Sequence, residues 1–258
     1  MFPILYSFGP VRIFTYGFFL ALAFIAALYV AGREARRLGD SPEQIYDLGF
    51  YIVLAAIIGS RLLHVVLEWR YFASQPLDIF MLWKGGLAFQ GGLILGVPVA
   101  TFYIYRHRMP FWRTLDTLAV GTPLGQCIGR MGCFMAGCCY GKACSLPWGV
   151  TFNDPNTLAR PQGVPLHPTQ LYESLLTLGI FMVMLRLRHR QKFPGQLVGV
   201  YLLLAGAARF VVEFWRGDDR GPVLLWGMPS TQVIALGLML AAVLFLGWRS
   251  RAVKVSAT

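Results

Sequence analysis

A few ionisable side chains lie inside otherwise apolar stretches of this sequence, and these are its first candidates for chemistry: Arg61, His64, Arg130, Arg209 and Glu213. Ionisable groups in such segments are costly and usually mark function. Arg209 and Glu213 are four residues apart, so on a helix they share one face and neutralise each other. That pair could also serve only to permit insertion into a membrane. For Arg61, the alternative to a functional role is hydrogen bonding between helices. His64 is predicted to be a hydrogen-bonded interior residue.

The charge balance of these groups predicts an anion site. Glu213 is interpreted as the only acid well inside an apolar segment, against three arginines at Arg61, Arg130 and Arg209. An uncompensated buried guanidinium is expensive, and its planar fork binds phosphate oxygens through two hydrogen bonds. Because the abundant anion of a bilayer is lipid phosphate, we predict a binding site for an anionic phospholipid.

All the cysteines fall in one short segment: Cys127, Cys133, Cys138, Cys139 and Cys144. Their spacing lacks paired C-x-x-C elements, so it is only a weak match to a zinc site. A disulfide among Cys138, Cys139 and Cys144 is an alternative. Small packing residues, a thiol that contributes to chemistry, and a metal ligand are the other interpretations.

The composition indicates which elements must position these groups. Of the 258 residues, 56% are hydrophobic and 14% are charged, against about 25% charged in globular proteins. The mean hydropathy is +0.57. A soluble domain of this size cannot bury that much apolar surface, so some of it must face lipid. The sequence predicts a polytopic, all-α integral membrane protein.

Hydropathy predicts seven spans within a single transmembrane domain, 1–258, each near the ~20 residues that a crossing helix needs. They lie at about 14–33, 46–67, 86–105, 115–137, 169–187, 196–215 and 230–248, and the fourth is the least apolar. Basic clusters follow the first, third, fifth and seventh spans. The positive-inside rule then predicts an N-terminus outside, a cytoplasmic C-terminus and outward loops at 68–85 and 138–168. This distribution explains the net charge of +11 without a nucleic-acid partner.

The charged and glycine-rich segments together resemble the prolipoprotein diacylglyceryl transferase family of bacterial inner membranes, through nearly the whole chain. The family signature has the pattern G-R-x-G-N-F-x-N-x-E-x-x-G. The segments that carry the resemblance are Tyr16-Gly17, Gly59-Ser60-Arg61, GGLAFQGG at 85–92, GRMGCFMAGCCYG at 129–141, HPTQLYES at 167–174 and ARFVVEFWR at 208–216.

The resemblance implies a function. Enzymes of this family move the diacylglyceryl group of phosphatidylglycerol onto the thiol of the lipobox cysteine in prolipoproteins and release glycerol phosphate. The expected partners are therefore phosphatidylglycerol, prolipoprotein signal peptides and membrane lipid, in the bacterial inner membrane. Neither a cofactor nor a metal is expected. The alternatives are a paralogue of the same fold with another acceptor or no activity, and a thiol-redox or metal-handling membrane protein. A small-solute transporter is disfavoured because no internal repeat is visible.

The resemblance also implies site residues. The expected catalytic residues are Tyr16, Gln90, Arg130, Arg209 and Glu213. The expected substrate-binding residues are Arg61, Arg130, Gly132, Gly141 and Arg209. Gln90 stands where the family usually has a histidine, Cys133 and Ala136 replace the signature asparagines, and Cys138 replaces the signature glutamate. An active enzyme would then rely on arginines to neutralise the leaving phosphate, with Glu213 or a water as proton acceptor.

Overall fold

The computed structural model describes residues 2–8, 11–81, 85–218 and 227–255. The chain forms two compact units. The first unit comprises Met1–Ala31 and Leu115–Thr258, and the second unit comprises Gly32–Thr114. The single domain 1–258 stays a prediction.

The described residues are mainly helical, which confirms the all-α prediction in its coarse form. The helices are α1 (Thr15–Leu38), α2 (Pro42–Leu67), α3 (Trp69–Ser74), α4 (Phe89–Arg106), α5 (Phe111–Ala136), α6 (Thr169–Leu187), α7 (Gln196–Val212) and α8 (Ser230–Val255). Several extend beyond the hydrophobic runs, as α1 does in ending with Arg36 and Arg37 in its last turn.

Five of these helices are long and apolar enough to cross a membrane, namely those that begin at Thr15, Pro42, Thr169, Gln196 and Ser230. Large apolar side chains on them are exposed, such as Ile25 and Leu244, as lipid contact requires. The helices α4 and α5 are not apolar enough to meet the same criterion. Helix α4 contains Gln90, Pro98 and Arg106 in only 18 residues, and α5 is rich in polar residues. The chain is a multi-pass membrane protein. The count of seven spans and their orientation stay predictions.

Two short antiparallel strand pairs were not predicted from the sequence. Strands β1 (Ile4–Phe8) and β2 (Val11–Phe14) form a hairpin before α1. Strands β3 (Val150–Thr151) and β4 (Pro165–Leu166) pair within the segment between α5 and α6. That segment has its own small core of Phe152, Ala159 and Leu166, which lets it support residues near the end of α5.

Glycines allow close helix packing in both units. In the second unit, a Cβ on Gly59 would lie 2.7 Å from the Cβ of Leu95, and a Cβ on Gly92 would lie 2.8 Å from Ser60 Oγ. In the first unit, a Cβ on Gly132 of α5 would lie 2.9 Å from the Cβ of Phe19 in α1. These approaches hold α2 against α4 and α5 against α1, and only small residues permit them.

The start of α7 is held by a carboxylate from α5. Asp116 is 1% exposed and accepts hydrogen bonds from the backbone N–H groups of Gly195 at 2.6 Å and Val198 at 2.9 Å. The side chain of Gln191 also donates to it, at 2.6 Å. Gly195, the N-cap residue of α7, has no side-chain oxygen for this task, so Asp116 satisfies the free N–H groups that begin every helix.

Candidate active site

A buried carboxylate on α6 lies at the centre of three arginines in the first unit. Glu173, whose side chain is 9% exposed, lies 2.7 Å from Arg130 of α5 and 3.4 Å from Arg209 of α7. Arg216, just beyond α7, lies 3.7 Å from the same carboxylate. The arrangement joins α5, α6 and the end of α7 at one point. The side chains of Arg130 and Arg209 are 27% and 22% exposed, so both are only partly buried.

The predicted pair of Arg209 and Glu213 forms as expected from their spacing. The NH2 atom of Arg209 lies 2.8 Å from Glu213 Oε2, and the Glu213 side chain is 2% exposed. The hydroxyl of Thr231, at the start of α8, donates to Glu213 Oε1. Glu213 is therefore fixed by two partners and holds Arg209 in place.

Arg216 has a second carboxylate partner. Its Nε and NH2 atoms lie 2.9 and 3.0 Å from the two oxygens of Asp218, in the two-point geometry typical of arginine. The Arg216 side chain is 2% exposed. The guanidinium group of Arg216 is thus buried, whereas its partner Asp218 is partly exposed.

The interpretation of Glu213 as the only acid well inside an apolar segment is wrong. Glu173 lies one turn into α6 and reaches three arginines. Among the described residues the cluster contains three guanidinium groups (Arg130, Arg209, Arg216) and three carboxylates (Glu173, Glu213, Asp218). Since these formal charges balance, any anion would be bound by the orientation of the partly exposed Arg130 and Arg209 side chains rather than by a net positive charge.

Three cysteines meet at the end of α5 because of how that helix ends. Gly137 adopts a left-handed conformation with φ 75°. The backbone N–H of Cys138 donates to the carbonyl of Cys133, and that of Gly137 donates to Phe134. This is the Schellman arrangement, which brings the second residue after the helix back over its last turn. Cys139, with φ 64°, turns the chain again, and the sulfur atoms of Cys133, Cys138 and Cys139 all lie within 4.8 Å of one another.

Arg130 connects this thiol cluster to the arginine–carboxylate cluster. Its NH1 atom lies 3.9 Å from Cys133 Sγ and 3.8 Å from Cys139 Sγ. Hydrogen bonds from the neighbouring thiols, first Cys133 and then Cys138, together with Arg216 and Arg130, lower the pKa of the Cys139 thiol. Its neighbours Cys133 and Cys139 conversely raise the pKa of Cys138.

The disulfide alternative is not what the structure contains, because all five cysteines are free thiols. Cys127 lies outside the cluster, with its sulfur 3.2 Å from Ser174 Oγ.

Other predicted residues of the first unit lie around these clusters. Tyr16, at the start of α1, is 41% exposed, and its hydroxyl interacts electrostatically with Cys133 and Arg130. Gly132 is buried where α5 meets α1. Gly141 donates its N–H to the carbonyl of His167 at 2.9 Å and pairs with Arg216 in a β-bridge. Gly141 thereby holds the segment after the thiols against the start of α6 and the end of α7.

Two predicted residues, Arg61 and Gln90, belong to the second unit. Arg61 is 6% exposed. Its NH1 atom donates to the carbonyls of Gly85 at 2.6 Å and Gly86 at 3.0 Å, and its other nitrogens donate to the carbonyls of Asp78 and Ile79.

These contacts stabilise the segment before α4 and border a cavity of about 230 Å³ that His64 and Phe72 also line. His64 contacts the ring of Phe72 edge-on. Gln90 is exposed in the first turn of α4. Roles for Arg61 and Gln90 in substrate binding or catalysis stay predictions.

Sequence reasoning missed Glu173 and Arg216 as members of the site. Glu173 lies in the segment HPTQLYES and Arg216 in the segment ARFVVEFWR, both of which carry the family resemblance. The available signal for Glu173 was its position one turn inside an apolar helix, on a chain with few acids.

The helices and this buried ionic cluster define a multi-pass membrane protein with a polar site among its helices. Comparison with known proteins specifies the class further. The family description "Prolipoprotein diacylglyceryl transferase" matches residues 3–248.

Relatives named phosphatidylglycerol–prolipoprotein diacylglyceryl transferase include one from Clostridioides difficile, 34% identical over 88% of this chain and 86% of the relative. Another, from Solidesulfovibrio magneticus, is 35% identical over 93% of each chain. A third, from Vibrio parahaemolyticus, is 35% identical over 95% of this chain and 90% of the relative. The chain belongs to the prolipoprotein diacylglyceryl transferase family.

Proposed function

We propose that this protein transfers the diacylglyceryl group of phosphatidylglycerol to the lipobox cysteine of prolipoproteins in the bacterial inner membrane. Membership of the family and the names of its relatives support this activity. The structural observation that carries it is the joint contact of Glu173 with Arg130 and Arg209. One buried carboxylate orients two partly exposed guanidinium groups from different helices.

In the reaction, the acceptor thiolate attacks the carbon of the diacylglyceryl group that bears the phosphate. The carbon–sulfur bond forms, the carbon–oxygen bond to phosphate breaks, and glycerol phosphate leaves with an additional negative charge. Arg130 and Arg209 bind the phosphate oxygens and stabilise that charge as it develops. In the described part of the chain, the NH1 hydrogen bonds of Arg130 go to sulfur. Because sulfur is a weak acceptor, a phosphate oxygen would replace these contacts with stronger ones.

The remaining residues have supporting roles in this proposal. Glu213 fixes Arg209 and is the carboxylate that we assign to accept the thiol proton, directly or through a water. Tyr16 offers a hydroxyl that interacts electrostatically with Arg130. Gly132 and Gly141 permit the close backbone packing that places the polar groups. A headgroup contact by Gln90 stays a prediction, and Arg61 acts by maintaining the segment before α4.

Arginine-to-lysine substitutions test the phosphate contacts. Lysine keeps the positive charge but loses the planar fork, so Arg130→Lys and Arg209→Lys should each lose most of the activity. The assay measures the mass of a lipobox peptide after incubation with phosphatidylglycerol vesicles and the purified protein. Arg190→Lys is the matched control, because Arg190 is exposed and lies roughly 25 Å along the helical run from Glu173 at 1.5 Å per residue.

Two outcomes contradict the proposal. Full activity of both lysine variants would exclude a phosphate clamp formed by these arginines. No transfer by the native protein, with phosphatidylglycerol and several lipobox peptides present, would exclude the transferase activity itself. Growth of a transferase-depleted bacterium that carries the native gene tests the same activity in the cell.

A further inference from the structure

The three thiols at the end of α5 form a site that the transferase reaction does not require. We propose that Cys133, Cys138 and Cys139 together bind one soft metal ion, Zn²⁺ or Cu(I), through three thiolate sulfurs. The inference does not rest on the proposed function, although both involve Arg130. It also revises the expectation of no metal, which was based on cysteine spacing along the sequence.

The geometry of the thiol cluster needs little change to bind an ion. Its sulfur atoms lie within 4.8 Å of one another. With metal–sulfur bonds of about 2.3 Å, sulfurs around a tetrahedral ion are roughly 3.8 Å apart. The shift required is therefore about 1 Å or less, within the range of a side-chain adjustment.

The backbone keeps the three thiols together without the ion. The Schellman hydrogen bond from Cys138 to Cys133 is 3.2 Å long, and the left-handed residues Gly137 and Cys139 return the chain to the helix end. Cys133 is 7% exposed, and Cys138 and Cys139 are half-buried. Spacing alone gave no sign of this, because a C-x-x-C motif is only one of the ways in which a backbone brings thiols together.

The surrounding charges favour an anionic metal complex. Three thiolates with Zn²⁺ carry one net negative charge, and with Cu(I) they carry two. Arg130 contacts two of the sulfurs at 3.8 and 3.9 Å, and Arg216 acts electrostatically on Cys139. Both arginines are already paired with carboxylates, so they act on the complex through their close orientation toward its sulfurs rather than through a net positive charge.

The donor set selects the type of ion. Within the described ranges, the cluster offers sulfur ligands from cysteine and neither histidine nor carboxylate. Thiolate ligands favour Cu(I) and Zn²⁺ over hard cations such as Mg²⁺ or Ca²⁺. Three protein ligands leave a fourth position of a tetrahedral zinc ion open, whereas Cu(I) needs no further ligand.

Metal retention by the purified protein tests the proposal. Full-length protein in detergent is reduced, loaded with Zn²⁺ or with Cu(I), desalted and analysed by elemental mass spectrometry. We expect one ion per chain for at least one of the two metals, and X-ray absorption should show sulfur neighbours at about 2.3 Å. Loss of one thiolate ligand should reduce the retained metal to below about one tenth of the native amount. We expect this for each of the variants Cys133→Ser, Cys138→Ser and Cys139→Ser. Cys127→Ser and Cys144→Ser are matched controls and should retain the ion.

Alkylation of the native protein gives a readout that does not depend on the folding of any variant. Bound metal should protect the three thiols from iodoacetamide, and a chelator should restore their labelling, as measured by peptide mass spectrometry. Equal labelling with and without either metal would overturn the proposal. Failure to retain either metal, or equal retention after all three cysteines are changed to serine, would also overturn it.

Discussion

Replacing Glu173 with glutamine tests whether this carboxylate organises the site. Glu173→Gln preserves the size of the side chain but removes the charge that Arg130 and Arg209 share. The amide oxygen still accepts one hydrogen bond, while the amide nitrogen is a donor facing other donors. We expect the two guanidinium groups to separate and to lose their common orientation.

The structure sets the size of the expected effect. Removing one partner from a fully buried ion pair costs about 3–5 kcal/mol. Because Arg130 and Arg209 are 27% and 22% exposed, we discount this to about 2–3 kcal/mol of unfolding free energy. The charged contact of Glu173 with Arg130 is worth about 1.5–3 kcal/mol as a hydrogen bond to a charged group, which corresponds to a loss of about 10- to 150-fold in transfer rate.

The measurement combines thermal unfolding in detergent with transfer of the diacylglyceryl group to a lipobox peptide. Glu68→Gln is the control, because it makes the same chemical change at an exposed position in the second unit. A Glu173→Gln protein that unfolds at the native temperature and transfers at the native rate would refute the organising role of this carboxylate.

Three further predictions follow from the described residues. Gln90→Ala should lower the transfer rate about tenfold or more, and the native rate should rise between pH 6 and 9 as the acceptor thiol (pKa near 8.5) ionises. An unchanged Gln90→Ala rate, or an inflection near pH 6.5 typical of histidine, would contradict this. Gly137→Ala should destabilise the protein more than Gly163→Ala does. Both glycines have φ 75°, but only at Gly137 would a Cβ meet neighbours, including Phe152 at 3.1 Å. Equal melting temperatures would exclude the packing effect. Reporter fusions should give cytoplasmic signals after four basic clusters and an outside signal near Asn153, and a cytoplasmic signal at Asn153 would contradict seven spans. The four cytoplasmic fusion points are Arg37, Arg108, Lys192 and Lys254.

The sequence was sufficient to predict the positions of the long helices and part of the site, but not the short α3 (Trp69–Ser74), which lies in the predicted loop 68–85. Apolar runs of about 20 residues are a strong local signal, and the four-residue spacing of Arg209 and Glu213 gave their pairing directly. The helix ends were less accurate, since α1 and α8 continue into basic turns that hydropathy excludes.

The contacts that the sequence did not predict are long-range ones. Glu173 meets Arg130 only because α5 and α6 pack together, and nothing in the local pattern of either helix specifies that contact. The thiol cluster depends on a left-handed Gly137 and a left-handed Cys139, and cysteine rarely adopts that conformation. The short strands β3 and β4, with two residues each, are below the length at which alternation is readable.

The capping of α7 by Asp116 makes the site sensitive to chain length. Asp116 fixes the first turn of α7 through Gly195 and Val198, and Arg209 lies in the last turn of the same helix. Each residue of a helix advances the direction of the next side chain by about 100°. One residue inserted between Val198 and Arg209 would leave the cap intact, together with every existing residue of the helix. It would nevertheless turn Arg209 away from Glu173, so the number of residues between the cap and the arginine matters as much as their identity.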